Sequence, residues 1–127
     1  MLRILVACTM LAIPALAAAQ GAEGVWRTAR SERGASLNVR IGPCAGTADR
    51  LCGEIVEVFG SERTDLVGRT MLRDMAPDGP GRWSGGTVWA PDDDRTYRSR
   101  MRLTGGGLEV EGCVAVFCRG QVWRRVE

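Results

Sequence analysis

The sequence predicts a small, exported, all-β domain, and three observations predict it. The first is an apolar leader at the amino terminus, followed by small residues. The second is a period of two in the apolar side chains that follow, which is typical of strands with one buried face. The third is an even number of cysteines once the leader is removed. Together they indicate one antiparallel barrel or roll of about six to eight strands, held by disulfides.

The leader, residues 1–19, has the three parts of a cleavable signal peptide. Arg3 supplies the positive charge, residues 4–16 form the apolar run, and Ala17-Ala18-Ala19 is the cleavage site. The mature chain is therefore expected to begin near Gln20. The apolar run is too short to span a bilayer, for which ~20 residues are needed, so we expect no transmembrane segment in the mature chain. These features predict a periplasmic or secreted protein.

The mature chain, residues 20–127, has roughly 108 residues, which is the length of a single domain. The whole chain carries 17 basic and 15 acidic residues, a net charge of +2, and loss of Arg3 lowers it to about +1. This balance lacks the excess of positive charge that nucleic-acid binding requires, so no nucleic-acid partner is expected. The sequence contains no histidine and no lysine. Their absence excludes Ser-His-Asp and Cys-His catalysis, histidine-ligated metals and Schiff-base chemistry.

Cleavage of the leader removes Cys8 and leaves Cys44, Cys52, Cys113 and Cys118. In an oxidising compartment four cysteines indicate two disulfides, for which three pairings exist. We favour the pairs 44–52 and 113–118 because each brackets a short connection, and each closure is expected to add about 2–3 kcal/mol. The alternative is a zinc site of four thiolates, which the spacing disfavours because it lacks tandem knuckles. No metal and no cofactor are therefore expected.

The alternation is clearest where Leu37, Val39 and Ile41 are separated by polar residues. Glycine and proline clusters separate successive strands. Residues 66–75 fit either a turn of helix or a short irregular strand.

One hairpin register follows from charge. If residues 104–107 form the loop, Leu103 faces Leu108, opposite charges face each other on one side and apolar residues on the other. The expected pairs are Arg102 with Glu109, Arg100 with Glu111, and Met101 with Val110.

The two ends of the mature chain carry complementary side chains. Gly24-Val25-Trp26 begins the domain, and Trp123-Arg124-Arg125 nearly ends it. A tryptophan on the first strand and an arginine on the last can stack where a barrel closes, which contributes about 0.5–2 kcal/mol. We expect Trp26 and Arg125 to form this closure, in a structural role. The arrangement is similar to that of lipocalins.

An aromatic group, Trp83, Trp89 and Tyr97, lies around Gly85-Gly86. One interpretation is a wall for an apolar or planar ligand inside the barrel. The other is that these rings fill the core, since each buries a large area.

The acidic residues do not predict a site. Asp92-Asp93-Asp94 invites a calcium interpretation, but an EF-hand would place glycine and glutamate where Tyr97 and Leu103 stand. A hairpin turn begun by Pro91 explains it better. A pair of carboxylates for glycoside hydrolysis would have to come from a scattered set, and nothing in the sequence brings two of them together. That set is Glu54, Glu57, Asp65, Asp74 and Asp78.

The motifs taken together resemble the exported bacterial family known as domain of unknown function 2147 (DUF2147). They run in the order Gly24-Val25-Trp26, Leu51-Cys52-Gly53-Glu54-Ile55-Val56, Met71-Leu72, Trp83-Ser84-Gly85-Gly86-Thr87-Val88, Ala90-Pro91-Asp92, Leu108-Glu109-Val110-Glu111-Gly112-Cys113, and residues 118–125. The resemblance covers essentially the whole mature chain. It implies a small barrel of calycin type with no established activity or cofactor, so it transfers no functional residue.

The leading hypothesis is a non-enzymatic binding module that takes a small apolar ligand beside Trp83, Trp89 and Tyr97. The alternative is a structural or interaction module that meets a partner protein of the cell envelope. An enzyme that uses carboxylates alone ranks last.

Overall fold

The computed structural model of the protein describes residues 4–9 and 21–127. The predicted signal peptide, 1–19, lies mostly outside these residues, and so does its cleavage site. Both stay predictions. Within the described part, no helix is long and apolar enough to cross a membrane.

The described residues form a closed antiparallel barrel in which each strand pairs with the next and β8 returns to β1. The prediction of an all-β barrel is confirmed, at the upper end of the expected number of strands. The strands are β1 Gly24–Arg27, β2 Ser36–Cys44, β3 Thr47–Phe59, β4 Thr70–Pro77, β5 Arg82–Ala90, β6 Arg95–Thr104, β7 Gly107–Val114 and β8 Phe117–Arg125. A short 3₁₀ turn, Thr64–Leu66, precedes β4. Residues 66–75 therefore contain the end of this turn and most of β4, so both interpretations of that segment apply in part.

The connections gather at two ends. We call one end the base, which contains the turns 45–46, 78–81 and 105–106 and the points where the chain enters and leaves the barrel. We call the other end the mouth, which contains loops 28–35 and 60–69 and the turns 91–94 and 115–116.

The β6–β7 hairpin has the register that its charges predict. Leu103 faces Leu108, Arg102 faces Glu109, and Arg100 faces Glu111. Both opposite-charge pairs form ion pairs. The strands extend one pair further than expected, because Thr104 also pairs with Gly107 and leaves a two-residue turn.

Inward-facing side chains fill the barrel from the base upward. The largest fully buried ones are Trp26, Trp123, Ile55, Leu72, Met75, Leu108, Val39 and Asn38. Alternation on β2 places Leu37, Val39 and Ile41 in the core, as predicted. Asn38 is an exception to the alternation. It lies between the buried Leu37 and Val39, where a strand places an exposed residue, and yet it is buried as well. It lies at a β-bulge, accepts a hydrogen bond from Arg27 Nε and donates one to Glu57, which satisfies its buried amide.

The cysteines pair as predicted. Cys44 is bonded to Cys52 near the base, and Cys113 is bonded to Cys118 across the β7–β8 hairpin at the mouth. Cys8 is exposed and unbonded. Two clusters of possible metal ligands occur among the described residues, and both depend on these disulfide sulfurs, which are not thiolates.

Candidate functional site

The base of the barrel is closed by the segment that precedes β1. Ala22 is buried, and its carbonyl oxygen accepts a hydrogen bond of 2.9 Å from the Trp26 indole. The Arg125 guanidinium lies 4.2 Å from the centroid of the Trp26 ring. It also donates to the carbonyl oxygens of Glu23 and Gly21, each at 2.9 Å. Strand closure, ring stacking and hydrogen bonding therefore meet at one point, where β1 pairs with β8.

The mouth is open and holds a cavity of about 640 Å³ between β5, β6, β7 and β8. The buried Trp123 forms part of its floor, and its walls are mainly apolar. The other apolar lining residues are Met71, Val88, Trp89, Ala90, Tyr97, Val110, Val114 and Phe117. A second cavity of about 270 Å³ lies beside it and shares Met71, Ala90 and Gln121 with it.

Two of the three aromatics that the sequence singled out belong to this cavity. Trp89 and Tyr97 line it, near the ends of β5 and β6 that face the mouth. Trp83 lies at the other end of β5, where it pairs with Met101 and covers Gly21 near the base. The structure thus separates Trp83 from the other two, and the three rings do not form one wall. All three also pack against the core cluster, so filling and lining are not exclusive roles here.

The β5–β6 turn holds the two mouth aromatics by their polar atoms. The Trp89 indole donates to Asp94 Oδ1 at 2.9 Å, and the Tyr97 hydroxyl donates to Asp93 Oδ2 at 3.1 Å. Arg69 stacks on the Trp89 ring with its guanidinium carbon 4.0 Å from the centroid. The aspartates that the sequence assigned only to a solvated turn therefore orient cavity residues. This role was not predicted from the sequence. The signal that could have indicated it is the short separation along the chain between Trp89 and Asp94 and between Asp93 and Tyr97.

On the opposite wall, Gln121 links the floor to the rim. Its Oε1 accepts a hydrogen bond of 2.8 Å from the Trp123 indole and one of 3.1 Å from the backbone of Ala29. The buried indole is thereby satisfied, and loop 28–35 is fixed against β8.

The rim carries charge and exposed apolar surface side by side. Arg119 lines the cavity from β8, and Asp93 lines it from the β5–β6 turn. At the tip of the β7–β8 hairpin Val114, Val116 and Phe117 are 61%, 88% and 78% exposed. The Cys113–Cys118 bond closes this hairpin just below its tip.

Two ion pairs outside the cavity shift pKa values. A hydrogen bond from Arg100 lowers the pKa of Glu111 on the outer face of β7. A hydrogen bond from Arg63 lowers the pKa of Asp65 in loop 60–69, and the same bond raises the pKa of Arg63. Both pairs involve exposed arginines, so they contribute little to stability.

The carboxylates considered for hydrolysis are divided among several places in the barrel, all outside the mouth cavity. Asp65 pairs with Arg63, Glu57 accepts from Asn38, and Asp78 accepts from Ser84 near the base. Glu54 and Asp74 both line a depression of about 470 Å³ near the Cys44–Cys52 bond, together with two arginines. None of these five acids lines the mouth cavity.

A closed antiparallel meander with a ligand-sized cavity at one mouth defines a small lipocalin-like barrel. The chain belongs to the DUF2147 family, described as uncharacterized proteins conserved in bacteria, whose model matches residues 24–125. No curated protein matches the chain significantly. Among solved structures, it is similar in fold to HP1028 of Helicobacter pylori, which is described as belonging to the lipocalin family. The TM-score is 0.67 and the identity 18%, and the match covers 84% of this chain and 83% of that one.

Proposed function

We propose that the protein is a non-enzymatic binding module that holds a small apolar ligand in the mouth cavity. The observation that carries this proposal is the cavity itself, about 640 Å³ with mainly apolar walls above a packed core. Pockets for small organic ligands typically have volumes of about 300–1,000 Å³ and the same apolar character. The lipocalin-like fold supports the proposal at the level of architecture.

The walls are preorganised, which favours binding because little ordering is needed when a ligand arrives. The indole of Trp89 and the hydroxyl of Tyr97 are held by Asp94 and Asp93. Trp123 is fixed through Gln121 at the floor. We therefore expect the aromatic surfaces to move little when a ligand binds.

The charged groups support binding rather than catalysis. Asp93 and Arg119 are the charged residues in the cavity lining, and Asp93 already accepts the hydrogen bond of Tyr97. A hydrolase of two carboxylates needs two acids facing one bond. The other acids considered lie outside this cavity, which supports the same view.

We also propose that the protein acts outside the cytoplasm, in the periplasm or the surrounding medium. The disulfides Cys44–Cys52 and Cys113–Cys118 support this, because such bonds persist in oxidising compartments.

Binding of N-phenyl-1-naphthylamine, a neutral apolar fluorophore, tests the function. We expect its fluorescence to rise on binding and the tryptophan emission to be quenched, because Trp89 and Trp123 line the cavity. Gly112→Leu should weaken binding at least tenfold, since Gly112 lines the cavity and a Cβ there meets Tyr97 and Val88 only at 3.4 Å. Gly42→Leu is the matched control, because Gly42 is near the base and has nothing within 4 Å of an added Cβ. Equal binding by both variants, or no binding by the unmodified protein, would contradict the proposal.

A second candidate is docking of an envelope protein, and the exposed hairpin tip favours it. Val114, Val116 and Phe117 present apolar surface that the barrel leaves uncovered, and such patches often mark contacts. The barrel closes on itself, so an open strand edge does not provide this contact. Site-specific photo-crosslinking in cells from position 117 should yield one defined adduct, and crosslinking from the exposed position 126 should not. Identical patterns from the two positions would argue against docking by the tip.

A further inference from the structure

The cavity combines apolar walls with an arginine at its rim, and this combination bears on the chemistry of the ligand. Arg119 lies on β8 opposite Gly112 of β7. It alternates with Phe117, Gln121 and Trp123, which line the same cavity, so its side chain belongs to the cavity face of the strand.

The Arg119 guanidinium has no ion pair or hydrogen bond within residues 4–9 and 21–127. Other arginines of the barrel are engaged: Arg100 and Arg102 pair with glutamates, and Arg69 and Arg125 stack on indoles. Asp93, the acid in the same lining, is not within 4 Å of a basic nitrogen and accepts from Tyr97 instead. Arg119 thus offers its donors to the cavity.

We infer that the cavity takes amphipathic organic anions, with an apolar chain or ring against the aromatic walls and a carboxylate on Arg119. This inference rests on the proposed binding function and specifies its ligand class. A guanidinium binds a carboxylate through two parallel hydrogen bonds, and these are stronger than neutral ones. The apolar part of such a ligand covers Val88, Val110 and Trp123, while its charged end stays at the rim, where water and Arg119 both solvate it.

Comparing an anionic ligand with a neutral analogue of equal length separates binding of the apolar chain from recognition of the carboxylate. Dodecanoate and 1-dodecanol share the apolar chain and differ in the charged group. Isothermal titration is expected to give at least tenfold tighter binding for dodecanoate at pH 7.5, which is the effect of hydrogen bonds to a charged group. Arg119→Gln should remove this preference by weakening dodecanoate alone. Arg98→Gln is the matched control, because Arg98 is an exposed arginine nearby that does not line the cavity.

The charge of Asp93 provides an independent check. Asp93→Asn keeps an oxygen for the Tyr97 hydroxyl and removes a negative charge from the lining. It should tighten dodecanoate binding two- to tenfold and leave dodecanol unchanged, since like charges repel at short range.

The outcomes are distinguishable. Equal affinities for acid and alcohol that do not change in Arg119→Gln would overturn the anion inference and leave the binding function standing. If Arg119→Gln binds neither dodecanoate nor dodecanol, Arg119 maintains the shape of the cavity and does not recognise the carboxylate. This result would also overturn the inference. If neither dodecanoate nor dodecanol binds, and the neutral fluorophore does not bind either, the proposed function itself is overturned.

Discussion

The Arg125 guanidinium lies 4.2 Å from the centre of the Trp26 ring and donates to two carbonyl oxygens of residues 21 and 23. This relationship joins the last strand to the first and to the segment that closes the base. The cation and the ring attract each other, and the hydrogen bonds hold the entering chain against the barrel.

Arg125→Leu should therefore lower the free energy of unfolding by about 2 kcal/mol, through loss of stacking and of the charge-assisted hydrogen bonds. Arg125→Lys should cost about half as much, because lysine keeps the charge but not the planar fork. Urea unfolding followed by tryptophan fluorescence measures both. Arg124→Leu is the control, since Arg124 is exposed and its variant should stay within about 0.5 kcal/mol of the unmodified protein. Equal losses at positions 124 and 125 would contradict the closure role.

Gly86 lies where β5 crosses close to β4. A Cβ placed there would overlap the carbonyl oxygen of Arg73 and the sulfur of Met75. Because the overlap involves backbone, Gly86→Ala should destabilise the barrel by about 3 kcal/mol or more. Thermal unfolding monitored by circular dichroism checks this. Gly42→Ala, which meets nothing within 4 Å, should change stability by less than about 1 kcal/mol; a variant at Gly86 that is as stable as this control would refute the crowding.

Acid should weaken the ion pair between Arg100 and Glu111 on the outer face of the barrel. The hydrogen bond from Arg100 lowers the pKa of Glu111 below its ordinary value of 4.5. The folded state then binds fewer protons than the unfolded state, so this stabilisation is complete above the unfolded pKa and is lost as the pH falls through the folded pKa.

Glu111→Gln should thus be less stable than the unmodified protein by about 0.2–1 kcal/mol at pH 7, and the difference should shrink below about pH 4.5. Arg100→Gln removes the other partner and should behave in the same way. Denaturant unfolding at intervals from pH 7 to pH 3 gives both curves. A difference that stays constant down to pH 3 would show that the pair does not contribute through ionisation.

The hydroxyl of Ser99 is buried and has no hydrogen-bond partner within the described residues. A buried polar group without a partner costs about 1–3 kcal/mol, so Ser99→Ala should leave stability unchanged or raise it by about 1 kcal/mol. Ser84→Ala is the contrasting variant, because the Ser84 hydroxyl donates to Asp78 at 2.9 Å. Chemical unfolding of the two variants compares them; a marked loss of stability in Ser99→Ala would indicate a satisfied hydroxyl.

Much of the fold was predictable because its causes are local. Alternation placed Val39 and Ile41 in the core, and a charge match chose the register that sets Arg102 against Glu109. The short spacings 44–52 and 113–118 predicted the disulfides, because nearby cysteines on a hairpin can reach each other with little backbone movement.

The candidate site was predictable only in part. Trp89 and Tyr97 were singled out and do line the mouth cavity, but Trp83 was grouped with them because it is close in sequence. A nine-residue strand such as β5 spans the barrel from base to mouth, so its two ends serve different places. Arg119 was not singled out, since an isolated arginine between a cysteine and a glycine carries no local signal.

By itself, then, the sequence determined the class of fold, favoured one pairing of the cysteines and predicted one hairpin register, all of which depend on neighbours or on a repeat of two along the chain. Only the tertiary structure decided that Arg125 also binds the carbonyl oxygens of Gly21 and Glu23 at the base, and that Arg119 lines the same cavity as Trp89 and Tyr97. Such relations join strands that are distant in sequence. They follow from how the closed sheet curves and staggers, which no short window of residues specifies.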